Sequence, residues 1–503
     1  MDDLHNRPFK RSLAASLPPE ILVRICSQLP PITCHSLALV SRSWNFAATP
    51  TLYKSPTIIS ETWGAAVKAA KWTSLRQTLI SNPELGRMVA RLDIREREIC
   101  EAFGLSSDGS SHEEFVAVAS SILNATPRLV ELNFDIIYRV SLRFICWRSA
   151  VLLSIPETGL PRISRFSVTI ASRRVATVPT GSYHICEHWE RVPLLLPSLE
   201  SLATARCDND CVRSMFSRPL PKLTNLEIVD SASLRLNVLA DLAHMAPNVT
   251  RLNLLGAAYA GRWADQKEYF TMLEEAIIKM FDVWKGLKLF YLTPSAFPPA
   301  CVEALTSLQH IHTIAIGAES LGDPEIRLLC SRPLKALYLH RASRITDESL
   351  KWVSDMVSLG DTEVLWIGGA HQLSDVGIES LAQGLGKGGR VRILCLESCL
   401  SLTGRSVRAL VTHGGSWLSN HLELLDLSGC PEIAESGDGG TGKTSPLADL
   451  CSAARNLRRL EIMVVSDSEV AAHDFGEIRA ALANNGGSAS FVTVEAVNHM
   501  GLP

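Results

Sequence analysis

Two stretches of the sequence carry residue types and spacings that could do chemistry. Gly437-Asp438-Gly439-Gly440-Thr441-Gly442-Lys443-Thr444 fits the pattern of a phosphate-binding loop, in which glycine N–H groups cradle a phosphate chain and the lysine neutralises it. His184, Cys186 and His188 alternate within YHICEHW, so an extended backbone would put three metal-binding side chains on one face; Cys207 and Cys211 follow in CDNDC. The surroundings of both argue against the chemistry. A phosphate loop needs a buried strand running straight into the glycines and a helix straight out of them. Here the apolar segment LELLDL stops at Leu427, and Cys430, Pro431 and a polar run intervene before Gly437. The expectation is a solvent-exposed insertion over 434–446. The C-x3-C spacing of Cys207 and Cys211 is not a tight zinc signature, so no metal is expected. G-x-S-x-G, H-E-x-x-H and protein-kinase motifs are absent. The chain is therefore expected to be no enzyme and to carry no cofactor. An NTPase reading would rest on the glycine insert alone and would require ATP binding that is lost on changing Lys443.

The elements that position side chains are written as a ladder of apolar-x-x-apolar-x-apolar segments. Clear copies are LTNLEI (Leu223 to Ile228), VTRLNL (Val249 to Leu254), LKLFYL (Leu287 to Leu292), IHTIAI (Ile311 to Ile316), LKALYL (Leu334 to Leu339), VRILCL (Val391 to Leu396), LELLDL (Leu422 to Leu427) and LRRLEI (Leu457 to Ile462). Weaker copies begin at Val89, Leu129, Ile163 and Leu199. The fourth position recurs at Leu337, Leu365, Leu394 and Leu425, spacings of 28, 29 and 31. RITDESL (Arg344 to Leu350), QLSDVGI (Gln372 to Ile378) and SLTGRSV (Ser401 to Val407) hold matching phases after their strands. This pattern resembles leucine-rich repeats of the cysteine-containing type, which implies strand–turn–helix units stacked into a curved solenoid. Cys207, Cys399 and Cys430 fall five positions after the fourth ladder position, where Ala257, Ala342 and Ala370 stand in other copies; these cysteines are expected to be structural and inert.

Residues 17 to 53, LPPEILVRICSQLPPITCHSLALVSRSWNFAATPTLY, follow a different rule. Pro18, Pro19 and Glu20 suit a helix start, and Ile21, Leu22, Ile25 and Leu29 form an apolar stripe. Leu37 and Val40 supply a second short helix, and Ser41 is placed to cap a third that carries Trp44 and Ala47 and stops before Pro50. Roughly 40 residues cannot bury a self-sufficient core, so these faces need either the following domain or a partner. The order LPPE, LALVSRxW, ATPxLY resembles an F-box, the module that docks a protein on the adaptor of a cullin–RING ubiquitin ligase. The resemblance implies that Leu17, Pro18, Ile21, Leu22, Ile25, Leu37, Val40 and Trp44 face the adaptor or support residues that do.

The expected architecture is α/β: a three-helix F-box over 12–56, a helical linker over 57–88, a leucine-rich-repeat solenoid over 89–465 with irregular insertions, and an atypical closing repeat over 466–503. Together the two resemblances point to F-box/leucine-rich-repeat proteins. They imply the substrate-recognition subunit of an SCF-type ubiquitin ligase, bound to the adaptor and through it to a cullin. A scaffold that binds the adaptor without the cullin is the alternative. Strand residues flanking the buried pair face the inner curve. They give Tyr291, Tyr338, His340, Trp366, Glu397 and Asp426, with Glu461 beyond, as candidate substrate-binding positions for a segment with an apolar and a basic part. A net charge of −3 with 20 % charged residues gives no electrostatic case for nucleic acid or an anionic membrane. Thirteen scattered cysteines fit a reduced, intracellular setting in cytoplasm or nucleus. MDDLHNRPFKRS lacks the apolar run of a signal peptide, and no stretch approaches the ~20 apolar residues of a membrane span.

Overall fold

Proline placement and apolar period set the elements. A computed structural model describes residues 17–56, 65–95, 112–138, 154–156, 158–172, 189–205, 209–229, 231, 234–256, 266–431, 433, 446–454, 456–457, 459–464 and 488–493. The chain divides into two compact units: Met1–Ala205 with Asp210–Leu223, and Arg206–Asn209 with Thr224–Pro503.

The first unit opens with helices α1 (Pro19–Ser27), α2 (Pro31–Ala38) and α3 (Arg42–Lys54), followed by α4 (Ala65–Ser81) and α5 (Pro83–Met88). Pro19, Pro31 and Pro83 begin their helices, where a missing N–H costs nothing. Ser41 caps α3 by accepting the N–H of Trp44 at 3.3 Å. That helix does not stop before Pro50; it runs through it to Lys54. The lost hydrogen bond costs about 3 kcal/mol in a helix interior, and continuing the helix sets Leu52 against the buried cluster of the three helices. Then come β1 (Arg91–Arg95), α6 (His112–Asn124), β2 (Glu131–Tyr138), β3 (Arg165–Ser172), α7 (Val192–Leu195), β4 (Ser201–Ala205) and α8 (Asn209–Met215), with β1 to β4 parallel in that order.

The second unit alternates strand and helix: β5 (Asn225–Val229), α9 (Leu236–Leu242), β6 (Arg251–Asn253), α10 (Gln266–Val283), β7 (Leu289–Ala296), α11 (Cys301–Ser307), β8 (Thr313–Gly317), α12 (Asp323–Leu329), β9 (Ala336–His340), α13 (Asp347–Ser358), β10 (Val364–Ile367), α14 (Asp375–Gly388), β11 (Ile393–Cys395), α15 (Gly404–Asn420), β12 (Leu424–Asp426), α16 (Pro446–Ala453), β13 (Arg459–Val464) and β14 (Ser488–Thr493). Each strand pairs in parallel with the next. A helical N-terminal region is thus followed by an open, solenoid-like α/β arrangement. Every ladder segment seen in the sequence contains a strand.

The register explains the ladder. Leu226, Leu252, Phe290, Ile314, Leu337, Leu365, Leu394 and Leu425 pair strand to strand as one buried row. Each such side chain contributes about 1.5–3 kcal/mol by leaving water. After β6, β9, β10, β11 and β12 the backbone turns through a residue with positive φ: Gly256, Arg341, Gly369, Ser398 and Gly429 respectively. The small residue beyond it tucks under the preceding repeat. The Cys399 thiol donates to the Ile367 carbonyl at 3.5 Å, and that of Cys430 to Leu396 at 3.0 Å. Burial pushes the two thiols up to about 11 and about 12, so both are inert, structural groups. Cys207 and Ala257 lie outside the described residues.

A ladder of carboxylates joins the helix starts. Asp323, at the start of α12, accepts from the N–H (3.1 Å) and hydroxyl (2.8 Å) of Thr346, which caps α13, and from the Ser349 hydroxyl. Asp347 receives the N–H and hydroxyl of Ser374 at 2.8 and 2.6 Å. Asp375 receives those of Thr403 at 3.0 and 2.8 Å, with the Ser406 hydroxyl. These are the residues of the matching RITD, QLSD and SLTG phases. Gly377 occupies the place of Ser349 and Ser406; a Cβ there would collide with the Asp347 carboxylate.

Candidate functional site

The three N-terminal helices share a small interior. Leu22, Cys26, Cys34, Trp44, Ala47 and Ala48 are buried, with Leu17, Val23, Ile25, Leu29, Leu37, Ala38 and Leu52 packed partly against them. The Cys34 thiol donates to the Cys26 carbonyl at 3.2 Å, and burial, followed by the neighbouring Cys34, raises the Cys26 pKa. Leu22 and Trp44 therefore do not present a surface. They were expected to face the adaptor or to support residues that do, and their burial fits only the second role.

What the helices leave bare is large and apolar. Ile32 is 79 % exposed, Leu39 77 %, Phe46 68 %, Val40 67 % and Ile21 44 %. Among the sequence candidates, Pro18, Ile21 and Val40 are exposed, while Leu17, Ile25 and Leu37 are half-buried. Ile32, Leu39 and Phe46 escaped sequence reading because helical spacing singles out the buried stripe; their signal was an apolar side chain off that stripe. Isolated exposed apolar residues are ordinary, but five on three short helices make this module a candidate interaction surface. The module is also tied to the first strand. The N–H of Ala90 donates to the Lys54 carbonyl at 2.9 Å, joining the end of α3 to the lead-in of β1.

A second candidate surface lies on the strand face of the second unit. Register places Tyr291, Ala315, Tyr338, Trp366, Cys395 and Asp426 in one row across β7 to β12. Ala315 is small enough for the tyrosines on either side to meet above it, with ring centroids 5.6 Å apart. Tyr338 and Trp366 follow at 6.2 Å, and His340, one row on, stands 5.8 Å from Trp366. The rings bury one another, so all four are half-buried rather than freely exposed. Burial, then the hydrogen bond with Tyr338, raises the Tyr291 pKa, and burial lowers that of His340, which is neutral near pH 7. The indole N–H of Trp366 is buried with no hydrogen-bond partner among the described residues. Glu397, just past the end of β11, is half-buried. Asp426, however, is 6 % exposed and turned to its own chain, accepting the Ser428 N–H at 2.9 Å and the Cys395 thiol at 3.4 Å. It is a structural carboxylate, not a docking residue. The Glu461 side chain lies outside the described residues, although its backbone is in β13.

The two stretches with potential chemistry fall largely outside the described residues: Gly437 to Thr444, His184, Cys186, His188 and Cys207. Cys211 is buried on α8. Among the described residues, β12 ends at Asp426 and the backbone turns through Gly429 well before Gly437.

Comparison with known proteins bears on the first surface. No curated protein matches the chain. Residues 14–59 match the F-box-like family. The three helices, which leave these apolar side chains exposed, lie within an F-box-like domain.

Proposed function

We propose that the chain is a non-catalytic substrate-recognition subunit of an SCF-type ubiquitin ligase. The exposed face of Ile21, Ile32, Leu39, Val40 and Phe46 docks the adaptor, and through it a cullin. The strands and helices of the solenoid-like part are leucine-rich repeats whose open strand face holds the protein to be ubiquitinated. No side chain of this chain takes part in bond-making; the gain in rate comes from raising the concentration of target beside the charged ubiquitin carrier. The setting is intracellular. The observation that carries the reading is the set of exposed large apolar side chains on an F-box-like domain.

The test is affinity purification of the full chain beside an Ile21→Glu/Val40→Glu variant. Both positions are exposed, so the variant keeps its interior. Adaptor and cullin should be recovered with the parent and lost with the variant; adaptor recovery that is unchanged removes the reading. Adaptor without cullin would instead support a scaffold acting by binding alone.

A further inference from the structure

One end of the second unit's strands carries charge that no described residue neutralises. The residues entering successive strands are Lys288, His312, Lys335, Glu363, Arg392 and Glu423. Each N–H from His312 onward donates to the carbonyl of the one before it, at 2.7–3.0 Å. They therefore stand side by side at strand spacing, about 4.8 Å. The row splits into two halves of different character. Arg392 forks onto Glu423 through Nε (3.0 Å) and Nη2 (2.8 Å) and reaches Glu363 at 4.0 Å, so that half is self-paired. In the other half Lys288 and Lys335 are exposed, and one row along, in register with Leu289, Arg251 is exposed on β6. None of these three cations makes an ion pair with the described residues. His312 sits among them, its Nδ1 3.0 Å from Thr313 Oγ1. Burial first, then Lys335, Arg251 and Lys288, lowers its pKa; it is neutral near pH 7 and does nothing to relieve their mutual repulsion. One row further along the strands, half-buried Leu289 and Val364 flank the small Thr313 and Ala336.

We propose that this rim binds an acidic segment of the recruited protein, with carboxylates at Arg251, Lys288 and Lys335 and apolar side chains against Leu289 and Val364. The inference rests on the reading of the strand face as the substrate-holding surface and names the chemistry that surface takes. Spaced carboxylates fit better than one phosphate. A phosphate needs donors that converge, ideally through an arginine fork. Here the cations are spread over β6 to β9, three strand spacings or about 14 Å. An extended segment presents same-side groups about every 6.8 Å, so successive acidic side chains can reach successive cations. The sign is opposite to that expected from Glu397 and Asp426, because Asp426 is buried and the unpaired charge sits elsewhere.

The test is fluorescence anisotropy on the full chain without adaptor. Three labelled peptides are compared: glutamate alternating with leucine, the same with glutamine for glutamate, and the glutamine peptide bearing one phosphoserine. The glutamate peptide should bind at least about tenfold tighter than its glutamine counterpart at ~0.1 M salt, and the gap should close near ~1 M, where the screening length falls to about 3 Å. Lys288→Glu/Lys335→Glu should abolish the gap, with Lys288→Gln/Lys335→Gln serving if charge reversal lowers the melting temperature. Lys351→Glu, on the exposed side of α13, should leave it unchanged. Equal binding of the glutamate and glutamine peptides, binding of the phosphoserine peptide alone, or an equal loss in Lys351→Glu overturns the proposal. Adaptor recovery by the same preparations shows separately whether the ligase reading stands.

Discussion

Removing the Asp375 carboxylate tests whether the helix starts, and not only the leucine rows, hold the second unit together. In Asp375→Ala the Thr403 N–H, the Thr403 hydroxyl and the Ser406 hydroxyl all lose their acceptor. Ser406 is 2 % exposed, so water cannot replace the lost partner there; an unsatisfied buried group costs about 1–3 kcal/mol. A carboxylate in the first turn of a helix adds about 0.3–1 kcal/mol through the backbone dipole. Thr403, less buried, recovers part of its loss from solvent. The total is about 3 kcal/mol, which at roughly 2–4 °C per kcal/mol for a unit of this size lowers the melting temperature by about 6–12 °C. Because repeats contact only their neighbours, amide exchange should quicken most across α14 and α15. Asp375→Asn keeps one acceptor oxygen and should lose about half as much. Calorimetry and hydrogen exchange on the full chain read both effects. A melting temperature within about 1 °C of the parent, with no change in α15 exchange, would refute the assignment of stability to this ladder.

The same carboxylates predict an acid limb. Burial alone would raise Asp323 and Asp375, but hydrogen bonds from Ser349 and Thr346, and from Ser406 and Thr403, outweigh it and hold both below the ordinary carboxylate value. The unfolded chain therefore takes up these protons first. Their stabilisation is complete above about pH 4, the unfolded value, and is lost as pH falls through the folded pKa beneath it; an Asp323→Asn/Asp375→Asn variant should melt with less dependence on pH in that window. Gly377→Ala should destabilise despite alanine's better helix propensity, because its Cβ meets Asp347; a raised melting temperature would contradict the packing. Trp44→Ala should cost about 3–5 kcal/mol and unfold the N-terminal helices, in contrast to Phe46→Ala, which should weaken adaptor capture without changing helicity by circular dichroism. Tyr338→Ala/Trp366→Ala should remove capture of the target while adaptor recovery stays intact; retained capture would free the aromatic row of that role.

Much of this fold is legible in the sequence because the strand period is two and one parity is buried in every strand of the ladder from β5 to β12, although β8 is buried on both. Leu337 and Leu339 had to be inside, which left Tyr338 and His340 on the other face. The turn after each strand was less visible. Gly256, Gly369 and Gly429 hint at a positive φ, but Arg341 and Ser398 adopt it too and carry no such signal. The carboxylate ladder was half seen, since RITD and QLSD stood out as matching phases, but their bonding to the next repeat depends on contacts across 23 to 31 residues. The docking faces were the hardest to read. Apolar type marks a residue as fit for burial without saying whether its own chain or another performs it, so Leu22 and Ile21 look alike in the sequence and part company only in the structure. Asp426 failed for the mirror reason: an acidic type suggested solvent, while a strand place beside Cys395 gave it partners.

The bond from Ala90 to Lys54 bypasses the intervening segment: the last turn of α3 is stapled to the first strand's entry whatever path residues 57–64 take. Whoever grips the three helices has hold of that strand as well. Lengthening the chain at 57–64 with a pliant spacer would not slacken the joint, whereas replacing Ala90 by proline, which has no proton to give, would turn a stiff coupling into a swivel.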